Sequence, residues 1–305
     1  MIILTGPTAT GKTSAAIRLG ARLPIEVINA DSRLFYRGMD IGVAKPTHAE
    51  REAVPHHLID VLDPSDTATL AAFQDDAYRL IREIHARHAL PLLAGGTQQY
   101  INAVVEGWRI PRVAPQPELR ARLEREAAEH GRERLMERLR ELDPAAADAT
   151  GPNLRRVIRA LEVISVTGRP ISEQQGKSEP WFAPLLIGLT MPRELLYPRI
   201  DRRADDMIAT GLIDEVRGLL QRGVPPDAPA LGSIGYRQVL PHLRGEATLV
   251  EIVARIKHDS HRLVRQQETW LRKTPNLIAI DVSEDGWFDR LRATIEGFLD
   301  EHPIP

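Results

Sequence analysis

The residues best suited to chemistry stand at the amino-terminal end. Gly6, Pro7, Thr8, Ala9, Thr10, Gly11, Lys12 and Thr13 follow the G-x-x-x-x-G-K-[ST] spacing of a phosphate-cradling loop. Such a loop brings backbone N–H groups and a helix N-terminus to one small volume, which favours an anion. The two glycines let the backbone come close, Lys12 adds a point charge, and the Thr13 hydroxyl can serve Mg²⁺. Asp31 is the second candidate, just past the apolar run 25–30. In an open α/β sheet, ligands sit beyond the carboxyl ends of the strands, which puts Asp31 beside the loop. By residue type it suits two roles equally, a general base or a carboxylate on Mg²⁺. Gly95, Gly96 and Thr97 follow another apolar run and face the same crevice. The neighbouring His56 and His57 point opposite ways on a strand and lack a third ligand, so they read as hydrogen-bonded structural residues.

These residues need a sheet to hold them. Residues 2–5 read as a buried strand and 14–23 as a helix with Ala15, Ala16, Leu19 and Leu23 on one side. Further strands are expected at 25–30, 90–94, 184–190 and 276–282. Helices are expected at 70–88, 98–106, 212–222, 249–273 and 287–301. Residues 33–46 read as a loop with Arg33, Arg37 and Lys45 as exposed cations. From about residue 112 the strand pattern disappears, and helices at 117–130, 132–142 and 154–167 are punctuated by Gly131, Pro144, Pro152 and Gly168. Arg155, Arg156 and Arg159 crowd one side of the last, as a solvated face or a basic surface. The fold class expected is α/β, a P-loop NTPase-like parallel sheet flanked by helices. It is built from 1–112 and 184–305, with an all-helical insertion at 113–183.

Composition narrows the class. The 305 residues are 43% hydrophobic with a formal charge of −2, so any nucleic-acid binding must rest on local basic surfaces. One is the 249–273 helix, where Arg255, Lys257, Arg262, Arg265, Arg272 and Lys273 outnumber Glu251, Asp259 and Glu268. The absence of cysteine excludes disulfides and thiolate zinc sites and suits a reducing cytosol. No apolar run approaches the roughly 18 residues of a membrane span. The first residues already read as a core strand, so a leader is not expected. Together these features point to a cytoplasmic protein.

Several stretches in order resemble one family. They are residues 6–13, Asp31-Ser32, Tyr36-Arg37-Gly38-Met39-Asp40-Ile41-Gly42, Ala44-Lys45-Pro46, Pro55-His56-His57-Leu58-Ile59-Asp60, Gly95-Gly96-Thr97, Gly235-Tyr236-Arg237-Gln238 and Thr269-Trp270-Leu271-Arg272. The set is similar to the tRNA dimethylallyltransferases, also called tRNA isopentenylpyrophosphate transferases. That resemblance implies transfer of a dimethylallyl group from dimethylallyl pyrophosphate to the exocyclic N6 of an adenosine beside the tRNA anticodon, with Mg²⁺ on Thr13. It implies that the loop holds the pyrophosphate, helped by Arg203, and that Asp31 takes the proton of the adenine amino group. It further implies that Asp31, Ser32, Arg33 and Leu34, with Gly232, Ser233, Ile234, Gly235, Tyr236 and Arg237, contact the extruded base and its neighbours. Thr97, Arg120, Arg155, Arg156 and Arg159 would be further contacts to the anticodon stem-loop. Nothing in the sequence demands more than a monomer. Val43, Gln99 and Gln266 depart from the family pattern, where Thr, an aliphatic residue and a cation are usual. Two rival readings remain: a small-molecule or nucleotide kinase on the same fold, and a non-catalytic tRNA-binding module. The intact Lys12, Thr13 and Asp31 argue against the second.

Overall fold

Short apolar runs with no alternation of polar residues are what a strand covered on both faces requires. β1 (Ile2–Thr5) is buried at all its residues, and β2 (Ile25–Asn29) and β4 (Leu90–Ala94) are nearly so. The computed structural model describes residues 1–303. With β3 (His56–His57), β5 (Trp108–Arg109), β6 (Gly176–Lys177), β7 (Leu185–Thr190) and β8 (Ile278–Asp281), these strands make two sheets. The larger is parallel throughout, in the order β3-β2-β4-β1-β7-β8. β1 pairs Ile2 with Leu92 on one side and with Leu185 on the other. This is the α/β class expected.

Two compact units divide the chain: residues 1–105 with 181–305, and residues 106–180. In the first, alternate strand residues feed opposite layers. Ile3, Ile28 and Leu93 pack with Phe73, Ile81 and Ile84 of the Leu70–Ala86 helix. Ile2, Leu4, Val27 and Leu92 pack with Ala15, Ala16 and Leu19 of the Lys12–Gly20 helix and with Leu291 and Ile295 of the Trp287–Glu301 helix. A third core, which the strand pattern gave no hint of, gathers the helices that follow β7. Leu212, Val216, Tyr236, Val239, Ile252 and Ile256 form its centre, with Met39 from the loop after β2. Among the described residues no helix is long and apolar enough to cross a membrane.

The second unit has helices at Pro117–His130, Arg132–Leu142 and Leu154–Thr167, as the breakers predicted, and also at Pro144–Thr150 and Ile171–Gln174. It is not all-helical. β5 and β6 form an antiparallel pair inside it, so its limits are 106–180 rather than 113–183. Two-residue strands are too short to leave a period-two signature. Around Leu123, Leu135, Leu139, Ile158 and Leu161 this unit has its own apolar core. At the edge of that core lies Glu162, whose side chain is fully buried. It accepts from Arg120 Nε and Nη2 at 2.7 and 2.8 Å, from Arg159 Nη1 at 2.6 Å and from the Gln116 N–H at 2.7 Å. Burial alone would raise its pKa, but these donors outweigh burial and hold the carboxyl down at about 2. A group depressed on folding stabilises above its unfolded pKa and loses that contribution as pH falls through the folded value.

Removing a buried carboxylate from such a cluster costs about 3–5 kcal/mol, so Glu162→Ala is expected to lower the urea midpoint of the full chain accordingly. Wild-type stability should decline from the ordinary carboxyl range toward pH 2, and the variant should lack that part of the decline. A loss typical of a surface pair, about 1 kcal/mol or less, would deny Glu162 this role.

Candidate active site

The loop after β1 has the geometry of an anion cradle. Gly6 has φ 147°, and a Cβ there would stand 2.4 Å from the Leu189 carbonyl oxygen, so only glycine fits. Ala9 (φ 65°) and Gly11 (φ 88°) are also left-handed, which turns the chain sharply into the Lys12–Gly20 helix. The helix ladder opens with Ala15 N–H donating to Gly11 O, so the amides of Lys12, Thr13 and Ser14 have no intrahelical acceptor. Lys12 Nζ donates to the carbonyls of Gly6 and Pro7 at 2.9 and 2.8 Å. Burial pulls its pKa down to about 8; Asp31 opposes that shift and Arg203 adds to it. Sequence reasoning missed Gln267, whose Oε1 accepts from the Thr8 N–H at 3.0 Å. The signal was a polar residue between Val264 and Leu271 on the buried stripe of the Leu249–Leu271 helix.

Asp31 is aimed by backbone. Asn29 ends β2 in the core, its Oδ1 accepting from the Asp31 N–H at 2.8 Å and its Nδ2 donating to Asp31 O at 3.0 Å and to Leu58 O at 2.9 Å. Asp31 Oδ1 then accepts from the Arg33 N–H at 3.0 Å. Ser32 N–H donates to Thr97 Oγ1, and Gly95 lies so near Ala30 that a Cβ would meet its carbonyl carbon at 2.3 Å. Thr97 therefore supports the Asp31 turn through its hydroxyl. The signal for Asn29 was a polar residue closing an otherwise apolar run.

Two cavities meet at Asp31. One, of about 410 Å³, is walled by Gly11, Lys12 and Thr13 together with Leu34, Val27 and Ile59. The other, of about 450 Å³, is walled by Arg33, Gly232, Ser233, Ile234 and Arg237 and by Arg262 and Gln266 of the Leu249–Leu271 helix. Thr8, Asp31, Val43 and Arg203 belong to both walls. Arg203, on the Arg193–Thr210 helix, donates to Thr8 Oγ1 and to Val43 O, each at 3.5 Å. Burial lowers its pKa and Asp31 opposes that. Leu34 lines the cavity that holds the phosphate loop.

Tyr236 and Gly235 do not line either cavity. Tyr236 is fully buried and its hydroxyl donates to Glu215. Glu215 also accepts from the N–H groups of Asp40 and Ile41 at 2.9 Å, so this pair holds the loop that presents Val43. The family resemblance implies contacts at Gly235 and Tyr236; in the fold the Tyr236 side chain turns inward, a direction that glycine punctuation before a helix cannot report. Lys45, expected to be exposed, is buried and donates to Tyr36 O at 2.9 Å and to Asp60. His56 Nδ1 lies 2.7 Å from Val54 O and His57 Nε2 lies 2.6 Å from Glu26, and no metal-binding group of three ligands exists among the described residues. In the other unit, Arg120 and Arg159 are taken up by Glu162, whereas Arg155 and Arg156 are exposed and form no ion pair among the described residues.

A parallel sheet with an anion cradle at its carboxyl edge, opening onto a carboxylate shared by two cavities, defines a P-loop-like α/β protein. Residues 34–274 match the family described as IPP transferase. The tRNA dimethylallyltransferase of Thermomicrobium roseum is 52% identical over 302 residues, 99% of this chain and 92% of that protein. The tRNA isopentenylpyrophosphate transferase of Bacillus halodurans superposes with a TM-score of 0.73 at 42% identity, covering 98% of this chain and 96% of that one. A eukaryotic dimethylallyltransferase acting on tRNA gives a TM-score of 0.83 at 26% identity, covering 100% and 80%. The chain belongs to the IPP transferase family.

Lys12 loses its charge as pH rises through about 8, so the affinity for inorganic pyrophosphate should weaken across that range. Calorimetry on Lys12→Met should show weaker binding overall and no such inflection beyond that of the ligand itself. An inflection retained in the variant would assign it to another group.

Proposed function

We propose that the chain is a tRNA dimethylallyltransferase, moving the dimethylallyl group of dimethylallyl pyrophosphate to N6 of the adenosine 3′-adjacent to the anticodon. The observation that carries this is the shared wall of the two cavities, with Asp31 and Arg203 at the meeting point. The 410 Å³ cavity joins cations to the apolar Leu34, Val27 and Ile59, as an allylic diphosphate needs. The 450 Å³ cavity takes the purine, which must leave its stack to reach it. Arg33, Gly232, Ser233, Ile234 and Arg237 meet the base and its neighbours, and Arg155 and Arg156 draw in the stem phosphates.

In the reaction the adenine nitrogen forms a bond to the allylic carbon while the carbon–oxygen bond to the diphosphate breaks. The electron pair leaves with the diphosphate. Lys12, Arg203 and the amides at the start of the Lys12–Gly20 helix stabilise the charge that gathers there. Asp31 accepts the proton from the attacking amino group, whose lone pair is otherwise delocalised into the ring. Mg²⁺ is a hard ion that keeps several waters and shares substrate phosphates, so one hydroxyl, that of Thr13 in the cradle wall, fits it. When bound, it would add positive charge at the leaving group. The protein acts as a monomer in the cytoplasm.

The decisive experiment incubates an anticodon stem-loop RNA with protein, Mg²⁺ and dimethylallyl pyrophosphate and analyses the nucleosides. N6-dimethylallyladenosine is expected; ATP-dependent phosphorylation of an acceptor with no prenylation would favour the kinase instead. Asp31→Ala should lower kcat by about 10²–10⁴-fold with donor affinity nearly unchanged, and equal turnover would remove Asp31 from the chemistry. The double variant Arg155→Glu, Arg156→Glu should raise KM for the RNA, most at low salt. A KM unaffected at every salt concentration would return those arginines to solvent.

A further inference from the structure

One buried side chain connects the parts that must stay in register. Gln267 is 5% exposed and lies on the Leu249–Leu271 helix, next to Gln266 in the wall of the 450 Å³ cavity. Its Oε1 accepts from the Thr8 N–H at 3.0 Å, and its Nε2 donates to Gly96 O at 3.2 Å. Thr8 belongs to the phosphate loop. Gly96 precedes Thr97, whose N–H donates to Ala30 O and whose hydroxyl accepts from Ser32, on either side of Asp31. The fit leaves no slack, since a Cβ on Gly96 would stand 2.5 Å from Gln267 Nε2. The helix itself is pinned on both sides of Gln267, by Val264 and Leu271 in the core and by an ion pair from Glu268 to Arg193.

We propose that Gln267 is a positioning residue for the transfer reaction, fixing the phosphate loop and the Asp31 turn at one separation from a helix that also walls the acceptor cavity. The Thr8 N–H is committed to Gln267, while the Thr8 hydroxyl, free of that bond, faces Arg203 in the shared wall. The diphosphate cradle and the proton acceptor are then set by one amide side chain rather than by two independent loops. The proposal rests on the prenyl-transfer reading for its rate effects, but not for its effect on diphosphate binding.

Two variants test it. Gln267→Met keeps the length and bulk and removes both hydrogen bonds. Gln267→Glu keeps the acceptor for Thr8 but, when ionised, sets an oxygen against Gly96 O; protonation restores a donor there. The kcat of Gln267→Met is expected to fall on the order of 10²-fold, the cost of a misplacement near 1 Å. KM for the RNA should be unchanged, and calorimetry should show inorganic pyrophosphate binding about tenfold more weakly. For Gln267→Glu the ratio of its kcat to that of the wild type should climb as pH falls. Lower melting temperatures with wild-type kcat, pyrophosphate affinity and pH profile would make Gln267 purely structural and overturn the proposal. Should Gln267→Met not fold, the pH-dependent recovery of Gln267→Glu decides alone. Should the wild type bind pyrophosphate yet prenylate no RNA, the functional reading falls and the pyrophosphate measurements still decide on Gln267.

Discussion

Two cations and one carboxylate share a crevice from which water is partly excluded, and that imbalance organises the rest. Burial depresses the pKa of both Lys12 and Arg203, and only Asp31 works against it. Lys12 satisfies two of its donors with the carbonyls of Gly6 and Pro7, neutral acceptors that are poor substitutes for an anion. In the proposed reaction a diphosphate corrects the imbalance when it binds, and corrects it further when its bond to carbon breaks and its charge grows. Interactions stronger in the transition state than in the ground state are the ones that accelerate chemistry. The same arrangement therefore favours both binding and bond cleavage.

Holding those charges in place falls to close backbone contacts and to buried side-chain amides. The crevice floor is built where strands end and chains touch: Gly6 against Leu189, Gly95 against Ala30, Gly42 against the Tyr236 ring. A methyl group at any of these would displace main chain or a buried ring. Asn29 performs the related task at Asp31, using both ends of its amide to fix the turn. The contacts at Gly6 and Gly95 depend on the register of the parallel strands, which the packing on both sheet faces sets. Precision at the site thus rests on a rigid scaffold and not on the flexible segments that cross it.

What could be read from the sequence follows the same division. The phosphate loop, Asp31 and the strands beneath them were legible because each is contiguous and carries its own signature of glycines, charge or unbroken apolar residues. Arg203 came from the family resemblance, and the fold sets it beside Thr8 of the phosphate loop. The failures are residues whose meaning depends on a distant partner. Tyr236 resembled a contact residue until Glu215 claimed its hydroxyl, and Lys45 resembled a surface cation until Asp60 was brought beside it. Gln267 and Thr8 are 259 positions apart, a separation no local pattern can report. The β5–β6 pair was invisible for the opposite reason, being too short for any period to appear.

The arginines of residues 106–180 show how charge is shared between internal compensation and the surface. Glu162 is fully buried, and Arg120 and Arg159, 38% and 31% exposed, compensate it. Two guanidinium groups around one carboxylate leave a single positive charge where the sequence suggested two. Each arginine also spends its best-placed donors inward, Arg159 giving Nη2 to Pro111 O and Val113 O as well. A phosphate approaching that side meets weakened cations whose withdrawal would uncover a buried carboxylate. Arg155 and Arg156 carry no such obligation, and their full charge reaches solvent within a Debye length of about 8 Å at physiological ionic strength. Arg155 and Arg156 thus keep their charge at the surface near the start of the Leu154–Thr167 helix, while Arg159 one turn on and Arg120 on the Pro117–His130 helix hold the unit together.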